Sequence, residues 1–229
     1  MVEVSCKHDR VFQFEPEQAA LLCIDMQRDF LDPRGYSAVG GEDMSVGRTI
    51  IPRCRAVLDA CRSAGLFIVH TREGHKPDLS DLHEAKQARS TGAGVPIGAA
   101  GPLGRLLVRG EYGHDFVDEM QPMPGEPVVD KPGFGAFYAT ELQEMLRAQG
   151  VTHVILLGVT TQCCVFSTLR EAVDRGYRCL TLEDCTAAFS ESLQRGVFEM
   201  IASEGHLFGW ITEGATLVEA LGATASTQV

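Results

Sequence analysis

The sequence predicts a three-layer α/β fold, an open and mostly parallel sheet with helices on both faces. Three observations carry this. Short apolar runs without polar alternation, Ala19–Asp25, Leu66–His70, Pro127–Asp130, His153–Leu157 and Tyr177–Leu182, have the length and character of strands buried on both sides. Helically spaced segments fall between most of these runs, and such alternation builds a parallel sheet. Gly65, Gly150 and Gly176 stand just past three of those segments, where helices stop.

Taken in order, AALLCID reads as a central strand with Asp25 at its carboxyl end. The following MQRDFLDPRGY is a loop, with turn signals at Asp32-Pro33 and Arg34-Gly35. Asp43–Gly65 reads as one helix, capped by Asp43 or Ser45, striped by Ile50, Ile51, Val57, Leu58 and Cys61, and kinked at Pro52. Leu66–His70 is the second strand. Residues 71–127 lack periodicity and are rich in Gly and Pro, so they read as an insertion forming a lid or an oligomer contact, with a short helix at Leu79–Ala88. Pro127–Asp130 is the third strand, and Tyr138–Gln149 the helix after it. His153–Leu157 is a strand that breaks at residues 158–162 and becomes a helix to Arg175. Tyr177–Leu182 is a strand ending at Glu183-Asp184, Ser190–Ser203 a helix, and His206–Ile211 an edge strand. Gly222–Val229 reads as a frayed tail. No linker or repeat divides residues 1–229, which are expected to form a single domain.

Of the 229 residues 45% are apolar and 22% charged, an ordinary balance for a globular protein. The net charge of −11, without a basic cluster, argues against nucleic acid as a partner. No run approaches the roughly 18 apolar residues of a membrane span, and MVEVSCKHDRVF lacks the apolar centre of a secretion signal. The eight cysteines show no CxxC or Cys/His metal spacing, so the expectation is a reduced cytoplasmic protein.

Cys163-Cys164 sits where a strand turns into a helix. Unpaired N–H groups and the helix dipole at such a start can lower a thiol from about 8.5 toward neutrality. The same two residues could equally be small buried apolar side chains. Their setting favours chemistry: Asp25 ends one strand, Lys131 another, and Cys164 follows a third, and parallel strands bring their carboxyl ends into one crevice. There Asp25 would accept the thiol proton while Lys131 holds it. The thiolate would attack an amide carbonyl whose oxyanion meets the backbone N–H groups of Thr160 and Cys164. No metal or cofactor is called for. Two other readings stay open: a redox sensor in which Cys163-Cys164 forms a vicinal disulfide, and dinucleotide binding at Gly133-Phe134-Gly135, which lacks the third glycine of the fingerprint.

The stretches ALLCIDMQRDF, HTREGHKPDLSD, LVRGEYGHD, DKPGFGAFYATEL and GVTTQCCVFSTLREAVDRGY make the chain resemble the isochorismatase-like cysteine hydrolases from about Ala20 to Leu221. The resemblance implies their Rossmann-like topology, the set Asp25, Lys131 and Cys164, and a cis peptide at Val159–Thr160. It also implies a homodimer or homotetramer. Because the nucleophile precedes the valine of a Cys-Val pair, it selects Cys164 over Cys163. Within the family the resemblance is strongest to hydrolases of biuret and triuret, which implies a small ureide as substrate and ammonia as product. Two positions depart from the biuret-hydrolase pattern: Phe134 replaces a lysine and Glu204 a glutamine. With Phe30, these are the candidate substrate contacts, and the departures leave room for triuret. Ureidoacrylate or an N-carbamoyl amino acid is the alternative substrate. The zinc-binding Asp-x-His of the nicotinamidases has no counterpart in His70-Thr71-Arg72-Glu73-Gly74-His75, so His70, His75 and His83 are expected to be structural or lid contacts.

Overall fold

The structure is a computed structural model, and it describes residues 1–43 and 45–225. The chain opens with an antiparallel hairpin, β1 (Val2–Cys6) and β2 (Arg10–Phe14). The main sheet follows: β3 (Ala19–Ile24), β4 (Phe67–Glu73), β5 (Val128–Lys131), β6 (His153–Val159), β7 (Arg178–Ala187) and β8 (Trp210–Thr212). Its six strands run in the order β8-β7-β6-β3-β4-β5, and every neighbouring pair is parallel. The expected layered α/β fold is therefore what forms.

Successive residues of a strand face opposite sides, and β3 uses both. Ala19, Leu21 and Cys23 join the core beneath α1 (Ile51–Ser63), against Cys54, Val57, Leu58 and Cys61. After α2 (Glu84–Gly92) come α3 (Leu142–Ala148) and α4 (Phe166–Asp174), and these cover the other face. There Ala20, Leu22 and Ile24 meet Leu142, Leu146, Leu169 and Ala172. This double burial is why the strand reads as an unbroken apolar run. Two last helices complete the fold, α5 (Glu191–His206) and α6 (Gly214–Ala225).

From β3 the chain winds outward through β4 and β5; β6, β7 and β8 wind the other way. β3 and β6 are neighbours, so the switch point lies between them, with Ile24 paired to Gly158. Gly158 has φ +117°, and a Cβ there would strike the Ile24 carbonyl oxygen. The two strands can converge this closely at their carboxyl ends only with glycine.

Several boundaries differ from the expectations. The helix expected over 43–65 is two helices, Ser45–Thr49 and Ile51–Ser63. Pro52 lies in the first turn of the second, where no partner for its missing N–H is required. The insertion helix starts at Glu84 instead of Leu79, because Leu79 is left-handed (φ +58°) in a turn closed by Ser80 N–H to Asp78 Oδ1 at 3.0 Å. β4 continues past His70 to Glu73, and β6 past Leu157 to Val159. The last strand begins only at Trp210, since α5 extends to His206 across a non-helical break at Ser203–Gly205. The hairpin and α6 are additional elements. Part of the expected tail, Gly222–Ala225, belongs to α6, and 226–229 lie outside the described residues. Among the described residues no helix is long and apolar enough to cross a membrane.

Gly158→Ala should be destabilising, by about 2–4 kcal/mol, through a main-chain clash at the centre of the sheet. Urea denaturation followed by circular dichroism measures it; a loss within experimental error would mean that β3 and β6 can separate freely.

Candidate active site

The site is assembled by strand ends. β3 delivers Asp25, which turns left-handed (φ +49°) and is fully buried. Thr71 of β4 fixes it, donating its hydroxyl to Asp25 Oδ1 at 2.6 Å and accepting the Asp25 N–H at 3.2 Å. Lys131 ends β5, also fully buried, with Nζ 2.8 Å from Asp25 Oδ2. Its ammonium donates to the carbonyls of Gly133 and Phe134 at 3.1 and 2.9 Å.

Glu73 ends β4 directly opposite Lys131 in the sheet register and is 3% exposed. Its Oε2 is 3.8 Å from Lys131 Nζ and accepts the Cys164 thiol at 3.1 Å. Its Oε1 accepts from Lys86 Nζ of α2 at 2.6 Å. Lys86 also donates to the Pro132 carbonyl at 2.7 Å and lies 5.0 Å from the centre of the Phe134 ring.

Cys164 stands in a single wide turn, Thr161–Val165, between β6 and α4. The Val159–Thr160 peptide entering it is cis, as the family resemblance implies. Cys163 and Val165 both give their N–H to the Thr160 carbonyl, at 3.1 and 3.2 Å. Neither is therefore available to an oxyanion. Thr160 and Cys164 line the cavity described below, which keeps them as the candidate oxyanion donors.

Asp25, Lys131 and Cys164 thus meet, as their strand-end positions anticipate. An oxygen of Asp25, an oxygen of Glu73 and the Cys164 sulfur lie within 4.8 Å of one another. Lys131 Nζ meets Asp25 Oδ2 directly, while Thr71 holds the other carboxylate oxygen.

The two carboxylates are pushed apart electrostatically. Burial raises the Asp25 carboxyl above its ordinary value and Glu73 adds to the rise, against the pull of Lys131. Burial acts on Glu73 in the same sense, yet Lys131 and Lys86 together outweigh it and hold Glu73 low. For Lys131, the opposing loss of hydration is outweighed by Asp25, Cys164 and Glu73, so it stays protonated. The Cys164 thiol is raised, first by its hydrogen bond with Cys163 and then by burial. The expectation of a thiol lowered by the helix start is therefore corrected. Two carboxylates already balance two ammoniums, and a resting thiolate would be an uncompensated fifth charge.

A cavity of about 370 Å3 opens onto Cys164. Phe30 and Phe134 line it as anticipated, together with Tyr36, Glu73, Lys86 and Arg89. Glu204 does not. It is exposed and left-handed (φ +48°) in the break near the end of α5. That helix runs back from the carboxyl end of β7 to the amino end of β8, so its last turn lies at the opposite edge of the sheet. There the Gly205 carbonyl accepts from Arg10 of the hairpin. A larger open groove of about 660 Å3, bounded by Lys7, Glu183 and Phe198, contains none of the strand-end groups.

Glu73 is the residue the sequence reading missed, because the strand was ended at His70. The alternation of Thr71 and Glu73 beyond it was the available signal. The histidines act as expected: His70 meets Glu126 at 2.7 Å, His75 meets Asp81 at 3.3 Å, and His83 joins Tyr138 at 2.6 Å. Asp25, Glu73 and Cys164 have the spacing of metal ligands, but Lys131 already supplies a cation to both carboxylates. A metal at those oxygens would have to sit against an ammonium, so the donor set does not fit one.

Fold and site together define a doubly wound α/β protein with a buried cysteine at its switch point. The chain matches the isochorismatase domain over residues 19–216, and it belongs to that family. Similar solved structures include a cysteine hydrolase from Pseudomonas syringae pv. phaseolicola 1448A, with 24% identity, 93% of this chain and 96% of that one covered, and a TM-score of 0.78. N-carbamoylsarcosine amidase from Thermoplasma acidophilum has 24% identity, coverage of 86% and 96%, and a TM-score of 0.66. Pyrazinamidase of Pyrococcus horikoshii, solved in complex with zinc, has 25% identity, coverage of 86% and 99%, and a TM-score of 0.66.

Lys131→Met should destabilise the chain by about 3–5 kcal/mol, since it strands two buried carboxylates; urea unfolding of the variant measures this. Alkylation of Cys164 by iodoacetamide, resolved from Cys163 by tandem mass spectrometry, should be slow near neutral pH and accelerate beyond the ordinary thiol range of about 8.5. A rate already flat from about pH 6 upward would instead reveal a resting thiolate.

Proposed function

We propose that this chain is a cysteine amidohydrolase that removes ammonia from the terminal carbamoyl group of a small linear ureide, triuret or biuret. The observation that carries it is the fully buried Asp25 carboxylate with a thiol and an ammonium beside it. A carboxylate whose proton affinity is raised by burial, next to a neutral thiol, is arranged to take that proton as the sulfur attacks.

In this reading the Cys164 S–H proton passes to Asp25 while sulfur bonds to the carbamoyl carbon. The C=O π pair moves onto oxygen, toward the N–H groups of Thr160 and Cys164. The pair then returns, the C–N bond breaks, and Asp25 gives its proton to the leaving nitrogen. Water, deprotonated by Asp25, cleaves the thioester-like intermediate and restores the thiol. Lys131 stays charged throughout, orienting Asp25 and offsetting the negative charge that develops.

The lining of the cavity supports this substrate class. Its phenyl walls, Phe30 and Phe134, suit a thin planar molecule, and Glu73 at its floor suits amide N–H groups. Glu73 beside the nucleophile disfavours a carboxylate on the substrate there, because like charges would be desolvated together. The amidase named among the similar structures, for N-carbamoylsarcosine, agrees with carbamoyl chemistry on this fold. One observation favours a second reading. Arg89 lines the same cavity and has no ion-pair partner among the described residues, so a carboxylate at the far end of an N-carbamoyl amino acid could be held there.

Ammonia release should be measured from triuret, biuret, ureidoacrylate, N-carbamoyl amino acids and nicotinamide. The first two are expected to show the highest kcat/KM; preference for N-carbamoyl amino acids would support the Arg89 reading, and no release from any would sink the assignment. Cys164→Ser should reduce turnover by about 10⁴-fold or more, while Cys163→Ser keeps measurable turnover. Activity should survive dialysis against EDTA.

A further inference from the structure

Glu73 makes more contacts with the reacting groups than positioning a strand end requires. Its two oxygens are used differently. Oε1 is locked by Lys86 at 2.6 Å, whereas Oε2 holds the Cys164 thiol at 3.1 Å, and the residue lines the cavity. The resting thiol therefore donates to Glu73 and not to Asp25. A group that leaves the nucleophile turned away from its base calls for a step that turns it back.

We propose that Glu73 is a fourth functional group of this site, an anchor for the substrate's terminal amino group that releases the Cys164 thiol to Asp25 as the substrate binds, and that Lys86 of the insertion keeps it charged. This rests on the carbamoyl reading of the same cavity. A substrate N–H takes the place of the S–H at Oε2. The thiol rotates to Asp25 Oδ2, its proton moves there, and the sulfur pair freed by that transfer forms the bond to carbon. The nitrogen anchored by Glu73 is the one that later leaves with the Asp25 proton. Attack is thereby coupled to occupancy, and an empty site keeps an unreactive thiol.

The charged and titratable groups around Glu73 are consistent with this. Asp25 faces it from β3, Lys131 from β5, Lys86 from α2, and Cys163 and Cys164 from the turn. Tyr36 and His75 complete the set. Burial holds the Tyr36 phenol up to about 12 and lowers His75 below its ordinary value, so neither brings charge near neutral pH. Lys86 is thus the cation that Glu73 does not share with Asp25. It ties the insertion to the reacting centre through both Glu73 and the Pro132 carbonyl.

Three variants of the full chain test this. In Glu73→Gln, loss of a charge beside the thiol should speed iodoacetamide alkylation of Cys164 near neutral pH by about tenfold, the effect of one pKa unit. The same variant should raise KM and lower kcat on the best ureide. In Lys86→Met, Glu73 loses a neighbouring cation and its proton affinity rises, so the acid limb of kcat should move to higher pH; Lys86→Arg should restore it. Alkylation needs no substrate, so it reads Glu73 even if the ureide panel fails. Alkylation and turnover of Glu73→Gln both within about twofold of the unmodified chain would overturn the proposal. If that variant does not fold, an unmoved acid limb in Lys86→Met does so.

Discussion

The buried ion pair between Lys131 and Asp25 is the constraint on which the rest of the site depends. Both groups are fully buried, and taking two charges out of water costs several kcal/mol for each. Their attraction offsets this only because the remaining polar positions are also met: Thr71 donates to one Asp25 oxygen, and two backbone carbonyls accept from the lysine. The pair forces the ends of β3 and β5 to stay aligned across β4. It also brings in a second acid, because Glu73 is in register with Lys131. That acid in turn requires Lys86, which comes from a segment far from the sheet.

The balance of two acids against two bases explains the state of the thiol. A cysteine at a helix start, considered alone, should be acidic. Inside this cluster the hydrogen bond with Cys163 and burial raise the thiol, and Asp25 and Glu73 add to the rise against the pull of Lys131. In the proposed reaction the nucleophile is therefore made at the moment of attack. This is also why Asp25 must be the more basic acid. Lys86 helps hold Glu73 ionised, and burial leaves Asp25 ready for a proton.

Much of the architecture was legible along the chain. β3 and β6 are buried on both faces, so their apolar runs carry no competing signal, and Asp25 and Cys164 follow from where those runs end. The boundaries failed where polar residues continue a strand. Thr71, Arg72 and Glu73 extend β4 as a strand that is no longer apolar, since its carboxyl end builds the candidate site. Lys86 was invisible for a similar reason: a lysine on a helix of mixed polarity looks solvated, and only its neighbours make it buried. The hairpin was missed although its signal was present. VEVSC and RVFQF alternate with period two, and Val2, Val4, Phe12 and Phe14 are the buried set. Glu204 was misplaced because a position known from its neighbours along the chain says nothing about which edge of the sheet a helix end reaches.

By itself the sequence determined the class of fold, the strand ends that carry an acid, an ammonium and a thiol, and the family whose pattern they follow. These are local properties: periodicity, turn residues and motif spacing are written along the chain. The tertiary structure alone decided which carboxylate the thiol faces, that Glu73 and Lys86 complete the charge balance, and that Glu204 lies at the far edge. The first two outcomes depend on contacts between residues 13 to 91 positions apart, and burial strengthens them, because charges removed from water feel one another strongly.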